Sequence, residues 1–197
     1  MNLVPSNEIF RKIIHLSASI IPLGYLWVIQ DKYTMLIILN CLCLVSIFVE
    51  VGRRKWNWIE TIFERFFNIM LRKNEFDGGM TGATWLLFGS VLTIFLFPIY
   101  IAVPALLFLT IGDTFAALVG KSFPIGKIKQ KTLSGTMAGF ITSTAAALYV
   151  NQLVPTEIIL LGSGVAMVVE LAPNLINDNV TIPLSGGLAM TYGMMIL

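Results

Sequence analysis

Charge is what this sequence has least of. Of its 197 residues, 13 are Lys or Arg and 11 are Asp or Glu, 12% in all, against about 25% in an ordinary soluble domain. With 56% hydrophobic residues, too few polar side chains remain to cover a soluble surface. That excludes a soluble enzyme and a disordered chain. The net charge of +2 is too small for a basic surface that would hold a nucleic acid. Cysteine is nearly absent: Cys41 and Cys43 form a C-x-C within an apolar run. Two residues apart on one helix, they cannot reach disulfide geometry and read as small apolar side chains. His15 is the single histidine, which excludes a multi-histidine metal site. A metal here would be held by oxygen, which suits Mg²⁺.

What the chain has instead is long apolar runs. A helix needs about 20 apolar residues to cross the hydrocarbon core. Seven runs approach that length: Ile13–Gln30, Tyr33–Val51, Met80–Pro98, Ile101–Gly120, Ser134–Leu153, Thr156–Ala172 and Pro183–Leu197. The last is short, about 22 Å by the helical rise. The first is too long for the apolar core of a cleaved signal, and no A-x-A-like site follows it. The pattern predicts an all-α polytopic membrane protein, one integral-membrane domain over residues 1–197. Threading the chain through all seven runs places 12 of the 13 basic residues on one side, Lys32 being the exception. The positive-inside rule makes that side the cytoplasm, with the N-terminus in.

Between the second and third runs, from Trp56 to Arg72, apolar Trp58, Ile59, Ile62, Phe63, Phe66, Phe67 and Met70 recur at helical spacing. This reads as an amphipathic helix lying in the cytoplasmic interface. Gly112, Ala116 and Gly120, then Gly135 and Gly139, repeat at spacing four. Small residues at that spacing let helices approach closely and predict packing of the fourth run on the fifth.

Ionisable groups inside a membrane are costly and mark function by default. His15, Glu50, Asp113 and Glu170 lie within or at the edge of the runs, all toward the cytoplasmic side. Glu50 has Arg53 and Arg54 one turn away, whereas Asp113 has no basic residue within a turn. Polar clusters adjoin them at 121–136, at 177–179 and at 72–82. The far side carries little besides Asp31, Lys32 and Glu157. A transporter places its polar groups near the midplane; a one-sided cluster suits an enzyme joining a lipid headgroup to a soluble co-substrate. Carboxylates of Asp113, Glu170 and Asp178 fit Mg²⁺. Lys121, Lys127, Lys129 and Lys131 fit phosphates, and so do amides around Gly135 at a helix N-terminus. Together these are the parts of phosphoryl transfer. Gly120-Lys121-Ser122 ends like a P-loop, but Phe115 stands where the first glycine belongs and no strand precedes it.

The stretch from Gly112-Asp113 through Ala116-Ala117 to Gly120-Lys121 resembles the G-D-x-x-A-A-x-x-G-K segment of the polyprenol kinase family, which includes dolichol, phytol and CTP-dependent diacylglycerol kinases. Lys131-Thr132-Leu133-Ser134-Gly135-Thr136 is similar to that family's K-T-x-E-G-T. Glu8, Arg11, Lys12 and His15 look like its E-x-x-R-K-x-x-H. Glu75 with Thr81 to Thr84 resembles the stretch opening its next helix. Glu170, Asp178, Asn179 and Pro183 look like its E…D-N-x-x-x-P element. The matches run in the family's order from Glu8 to Pro183. The resemblance implies transfer of a nucleotide γ-phosphate, commonly from CTP, to a lipid alcohol with Mg²⁺. It implies Asp113, Lys121, Lys131 and Glu75 in the chemistry. Lys127, Lys129, Thr132, Ser134, Gly135, Thr136, Asn179, Arg11, Lys12 and His15 would be at the nucleotide, and Asp113, Asp178 and Glu170 at the metal. Ser134 stands where the family carries Glu, which leaves Asp113 or Glu75 as base and Ser134 as a helix cap.

The leading expectation is thus a lipid-alcohol kinase in a cytoplasmic or ER-type membrane, its site facing the cytoplasm. Its partners would be CTP or another nucleotide, an isoprenoid alcohol or diacylglycerol, and membrane lipids; a homo-oligomer is compatible. A CTP:phosphatidate cytidylyltransferase-like enzyme is the second reading. A non-enzymatic small transporter or scaffold is the third.

Overall fold

In the computed structural model, residues 3–67, 70, 71, 73–76, 78–151, 153–172 and 177–196 are described. They form an all-α protein with one small β-hairpin. Helix α1 (Ser6–Ser17) is followed by α2 (Ile20–Gly24), which runs into a π-helical stretch, Tyr25–Ile29. Asp31 caps the next helix, α3 (Lys32–Lys55), by accepting a bond from the Thr34 amide. Then come α4 (Asn57–Phe67), the single turn α5 (Lys73–Phe76) and α6 (Gly82–Leu96). Helix α7 (Ile99–Leu107), a π-helical stretch over Phe108–Asp113 and α8 (Thr114–Ser122) run on as one helix. A two-strand hairpin follows, β1 (Lys127–Ile128) antiparallel to β2 (Lys131–Thr132) with Ile128 opposite Lys131. Helices α9 (Leu133–Val150), α10 (Thr156–Leu171) and α11 (Asp178–Ile196) complete the described chain.

Among the described residues, four helices are long and apolar enough to cross a membrane: Ser6–Ile29, Lys32–Lys55, Ile99–Ser122 and Leu133–Val150. Gly82–Leu96 is apolar but shorter. This is the architecture of a membrane protein. The first helix starts at Ser6, well before the apolar run, so Lys12 is helical, as His15 was expected to be, rather than flanking.

Ile99–Ser122 is the central helix. Every side chain from Ile101 to Thr110 is buried, under α2, α6, α9, α10 and α11. Pro104 lies inside it. A proline cannot donate its backbone bond, and the π stretch follows four residues later. A π turn holds an extra residue and re-aims those after it, and Asp113 is its last residue. The small-residue expectation holds: a Cβ at Gly135 would strike the Ala116 carbonyl oxygen, and one at Gly139 would sit 2.8 Å from the Gly112 oxygen. Hydroxyls reinforce the packing, Ser143 and Thr144 of α9 meeting Ser163 of α10 at 3.0 and 2.8 Å, roughly 0.6 kcal/mol each in a membrane setting.

The last apolar run was expected to begin at Pro183; the helix begins at Asp178 and contains that proline. Pro183 has no N–H to offer the Asn179 carbonyl one turn back. That oxygen instead lies against Gly89 of α6, where any Cβ would collide with it. The chain thereby gains a full turn, and Asp178 and Asn179 become parts of a packed helix rather than of a loop.

Gly89→Ala should destabilise the protein by about 1–3 kcal/mol through this overpacking. Gly164→Ala, on an open face of α10, should be neutral or stabilising by up to about 1 kcal/mol, from the lower chain entropy of Ala. Unfolding in detergent micelles compares the two.

Candidate functional site

The polar residues converge where α1, the end of the π-helical stretch at Asp113 and the starts of α6, α9 and α11 meet the C-terminal parts of α3 and α10. At the centre, Lys12 Nζ lies 2.6 Å from Asp113 Oδ2 and donates also to the Asp113 carbonyl at 3.2 Å. Their side chains are 7% and 11% exposed; charges that dry persist only when paired. His15, one turn along α1, places Nε2 at 3.7 Å from the same carboxylate oxygen and 2.8 Å from Asn179 Oδ1. Asn179 donates its Nδ2 to the Gly82 carbonyl at 2.9 Å. Its Oδ1 is therefore the acceptor, and His15 carries a proton on Nε2. His15 Nδ1 is buried beside the Thr110 carbonyl without closing a hydrogen bond of normal geometry.

A second group lies within electrostatic range of Asp113. Lys131 Nζ, on β2, reaches Glu170 Oε1 at 2.7 Å, the Glu170 carbonyl at 2.9 Å and Asp178 Oδ2 at 2.8 Å. Thr136 Oγ1 approaches Glu170 Oε2 at 3.5 Å. Burial alone would pull the Lys131 ammonium below its ordinary value. The charges of Glu170 and Asp178 outweigh it and hold it above. Asp178 and Asn179 are consecutive residues of α11, so that helix start joins the two groups.

A third network fastens the turn before α6. Glu50 Oε1 accepts from the Thr81 amide at 2.7 Å and the Thr84 hydroxyl at 3.1 Å, while Glu75 Oε1 accepts from the Gly82 amide at 2.9 Å. Two carboxylates thus satisfy amides at one helix start, where negative charge is favoured. Arg53 binds Glu50 Oε2 at 2.8 Å and the carbonyls of Glu75 and Gly79 at 2.9 and 2.6 Å, and lies 5.1 Å from the centre of the Phe63 ring. Through Gly82 this network supports Asn179.

At 30% identity over 189 residues, 92% of either chain, the protein is similar to the uncharacterized protein RP860 of Rickettsia prowazekii (strain Madrid E). It belongs to that protein's family. No protein-family model matches the chain, and no solved structure does.

The expected site residues therefore divide. Lys12, His15, Asp113 and Asn179 form one contact group; Lys131, Thr136, Glu170 and Asp178 form the other. Arg11 and Lys121 stand apart, both on Glu8 Oε2, at 3.1 and 2.7 Å. Lys127 and Lys129 are exposed on the hairpin. Glu75, on α5, is buried and accepts from the Gly82 amide at the start of α6. The cap of α9 is Thr132, whose side chain accepts from the Gly135 amide at 3.1 Å. Ser134, expected as the cap, is two residues past the cap position; it donates instead to the Phe123 carbonyl and takes the Ile125 amide at 3.3 Å. Gly135 is taken up in packing against Ala116 and Gly120. Arg72 and Asp77 lie outside the described residues.

Arg53 was read as a signal of topology; it is buried and organises the α6 turn. A Glu and an Arg three residues apart at the end of an apolar helix was its visible trace. The donor set suits Mg²⁺, which takes one or two carboxylates and completes its shell with water and substrate phosphates. Glu170 and Asp178, held side by side on one ammonium, are such a pair. Among the described residues no group of three or more His, Cys, Asp or Glu side chains is placed to hold a metal ion.

Lys131→Met should cost about 2 kcal/mol, less than for a fully buried pair because the lysine is 31% exposed. Folding raises this lysine's pKa, so its stabilisation is complete below the ordinary value of 10.5 and fades as pH rises past it. Unfolding followed across the alkaline range should show that loss in the parent and less of it in the variant.

Proposed function

We propose that the protein is a lipid-alcohol kinase that passes the γ-phosphate of a nucleotide, CTP by the family resemblance, to the hydroxyl of an isoprenoid alcohol or diacylglycerol. It would cross the membrane seven times with its N-terminus and its site on the cytoplasmic side. The observation that carries the reading is the pairing of Lys12–Asp113 with Lys131–Glu170–Asp178 at one end of an apolar bundle. The same end receives the basic residues in the charge partition, as the positive-inside rule requires of a cytoplasmic face.

In this reading the alcohol oxygen attacks the γ-phosphorus while the bond to the β-bridging oxygen breaks. The hydroxyl proton goes to a carboxylate, and the nucleoside diphosphate leaves. Glu75 Oε1 is held by the Gly82 amide and Asp113 Oδ2 by Lys12; in this reading the base is Asp113, which lies within electrostatic range of the Lys131–Glu170–Asp178 group. His15, with its proton on Nε2, and Asn179 orient that carboxylate. Lys131 and Lys12 neutralise charge on the phosphates in a dry setting, where such contacts act most strongly. Mg²⁺ carried with the nucleotide would be held by Glu170 and Asp178 and supply further neutralisation. Thr136 and the Thr132-capped start of α9 face the same group and favour an anion there.

The purified chain in detergent, given CTP labelled at the α or γ position with a panel of lipid alcohols and phosphatidate, tests this. Label reaching lipid from the γ position is expected. Transfer from the α position would make it a cytidylyltransferase, and no transfer with any nucleotide would support a non-enzymatic role. Asp113→Asn should reduce transfer at least about 100-fold, the usual worth of a general base, with the protein still folded.

A further inference from the structure

A groove of about 440 Å³ runs along the outer face of α10, between it and α9. Its walls are apolar: Leu160, Leu161, Val165 and Val168 on one side and Phe140 on the other, with Gly164 between them. The α10 positions recur every three to four residues, so they form one continuous stripe. From Leu160 to Val169 the stripe is about 13 Å long by the helical rise.

Two features separate this groove from ordinary lipid-facing surface. The first is Gly164. Gly162, on the same helix, is locked in packing, for a Cβ there would strike Met190. A Cβ at Gly164 would meet only the Phe140 ring edge, at 3.8 Å. Gly164 therefore brings no neighbouring helix closer; it leaves the floor of the groove open. The second is where the groove ends. Val169 is followed in the chain by Glu170, and Phe140 lies one turn after Thr136, which contacts Glu170. The inner end of the apolar groove thus lies at the level of Glu170 along α10 and one turn from Thr136 along α9.

We infer that this groove holds the hydrocarbon tail of the alcohol substrate, with the hydroxyl delivered to the Thr136–Glu170 end. The inference rests on the lipid-alcohol reading above and adds a location for the tail. A single flexible chain fits a narrow open stripe with no polar wall. A bulky ring system would need a closed cavity.

The test uses the full chain in phosphatidylcholine nanodiscs and a hexadecanol carrying a photoreactive diazirine in its tail. Crosslinks should concentrate on the α10 peptide containing Leu160–Val169. Unlabelled hexadecanol should compete; hexadecane, which has no hydroxyl, should not. Gly164→Leu, which fills the floor, should lower labelling roughly tenfold, the equivalent of about 1.4 kcal/mol. Val168→Trp should obstruct the rim without altering a glycine and lower labelling likewise. Labelling spread evenly over the lipid-facing helices, or unchanged in both groove variants, would mean ordinary membrane contact and overturn the assignment. Specific labelling without γ-phosphate transfer would sink the kinase reading and leave the groove. Transfer to long-chain alcohols with an unchanged KM in Gly164→Leu would sink the groove and leave the kinase.

Discussion

A carboxylate inside an apolar helix bundle needs a cation, and for Asp113 that cation arrives from a residue 101 positions earlier in the chain. Taking either charge out of water alone costs several kcal/mol. The Lys12–Asp113 pair therefore ties the first helix to the central one more firmly than apolar contact could, because lipid tails compete equally well for apolar faces. The rest of the polar end is built outward from that pair. His15 follows Lys12 by three residues and so faces the same carboxylate. Asn179 is fixed by His15 on one side and by the Gly82 carbonyl on the other, and Gly82 is fixed by Glu75. Beyond α1, which carries both Lys12 and His15, the links come from the central helix, α11, α6 and α5, so the pair sets the register of the bundle as well as its charge balance.

Backbone irregularities make these links possible. The π-helical stretch from Phe108 to Asp113 changes the direction in which Asp113 leaves the central helix. Pro183 withholds a donor from the Asn179 carbonyl, and Gly89 makes room for that carbonyl against α6. Both departures from regular helix fall beside the convergence of charges. Elsewhere α9 and α10 run regular over their described lengths, with hydroxyls rather than backbone breaks joining them. A second π-helical stretch, Tyr25–Ile29, lies at the far end of the first long helix, so irregularity is shared between the two ends, and only the one at Phe108–Asp113 bears on the ionisable groups.

Much of this was legible from residue order alone, for physical reasons. Apolar runs report helices because burial in lipid requires length, and the small-residue spacing of Gly112, Ala116, Gly135 and Gly139 reports a contact because close approach requires missing side chains. Asp113 stood out because it has no neighbouring base. What pattern could not supply were pairings across distance. Lys12 reads as a flanking charge until its partner 101 residues away is known, and His15 meets Asn179 across 164 residues. Arg53 looks like a topology signal because its carbonyl partners, at Glu75 and Gly79, carry no sequence signature. The start of α11 was misplaced because proline usually opens a helix; here the i−4 carbonyl it leaves unbonded is accommodated by a glycine on another helix. Local signals cannot show that compensation.

The charge balance of the cluster also constrains how any polyanion could enter it. Lys12 is engaged by Asp113, and Lys131 by Glu170 and Asp178 together. A phosphate that took Lys131 would leave two neighbouring carboxylates without their cation, a costly state where burial is high. An anion alone is therefore poorly matched to this end of the protein. An anion bringing a divalent cation is better matched: the phosphates meet the lysine while the released carboxylates meet the metal. Such an exchange would leave each charged group beside one of opposite sign and need no dedicated metal cage. Glu170 and Asp178 would be the residues to hold the cation, once phosphate had displaced them from Lys131. Asp178 is 32% exposed and Glu170 4%, so the exchange would begin at Asp178 on the open side and proceed inward toward Glu170. The inner end of that path, at Glu170 and Thr136, is level with the end of the groove along α10, so an amphiphile lying in the groove would present its head near the point the phosphates would reach last.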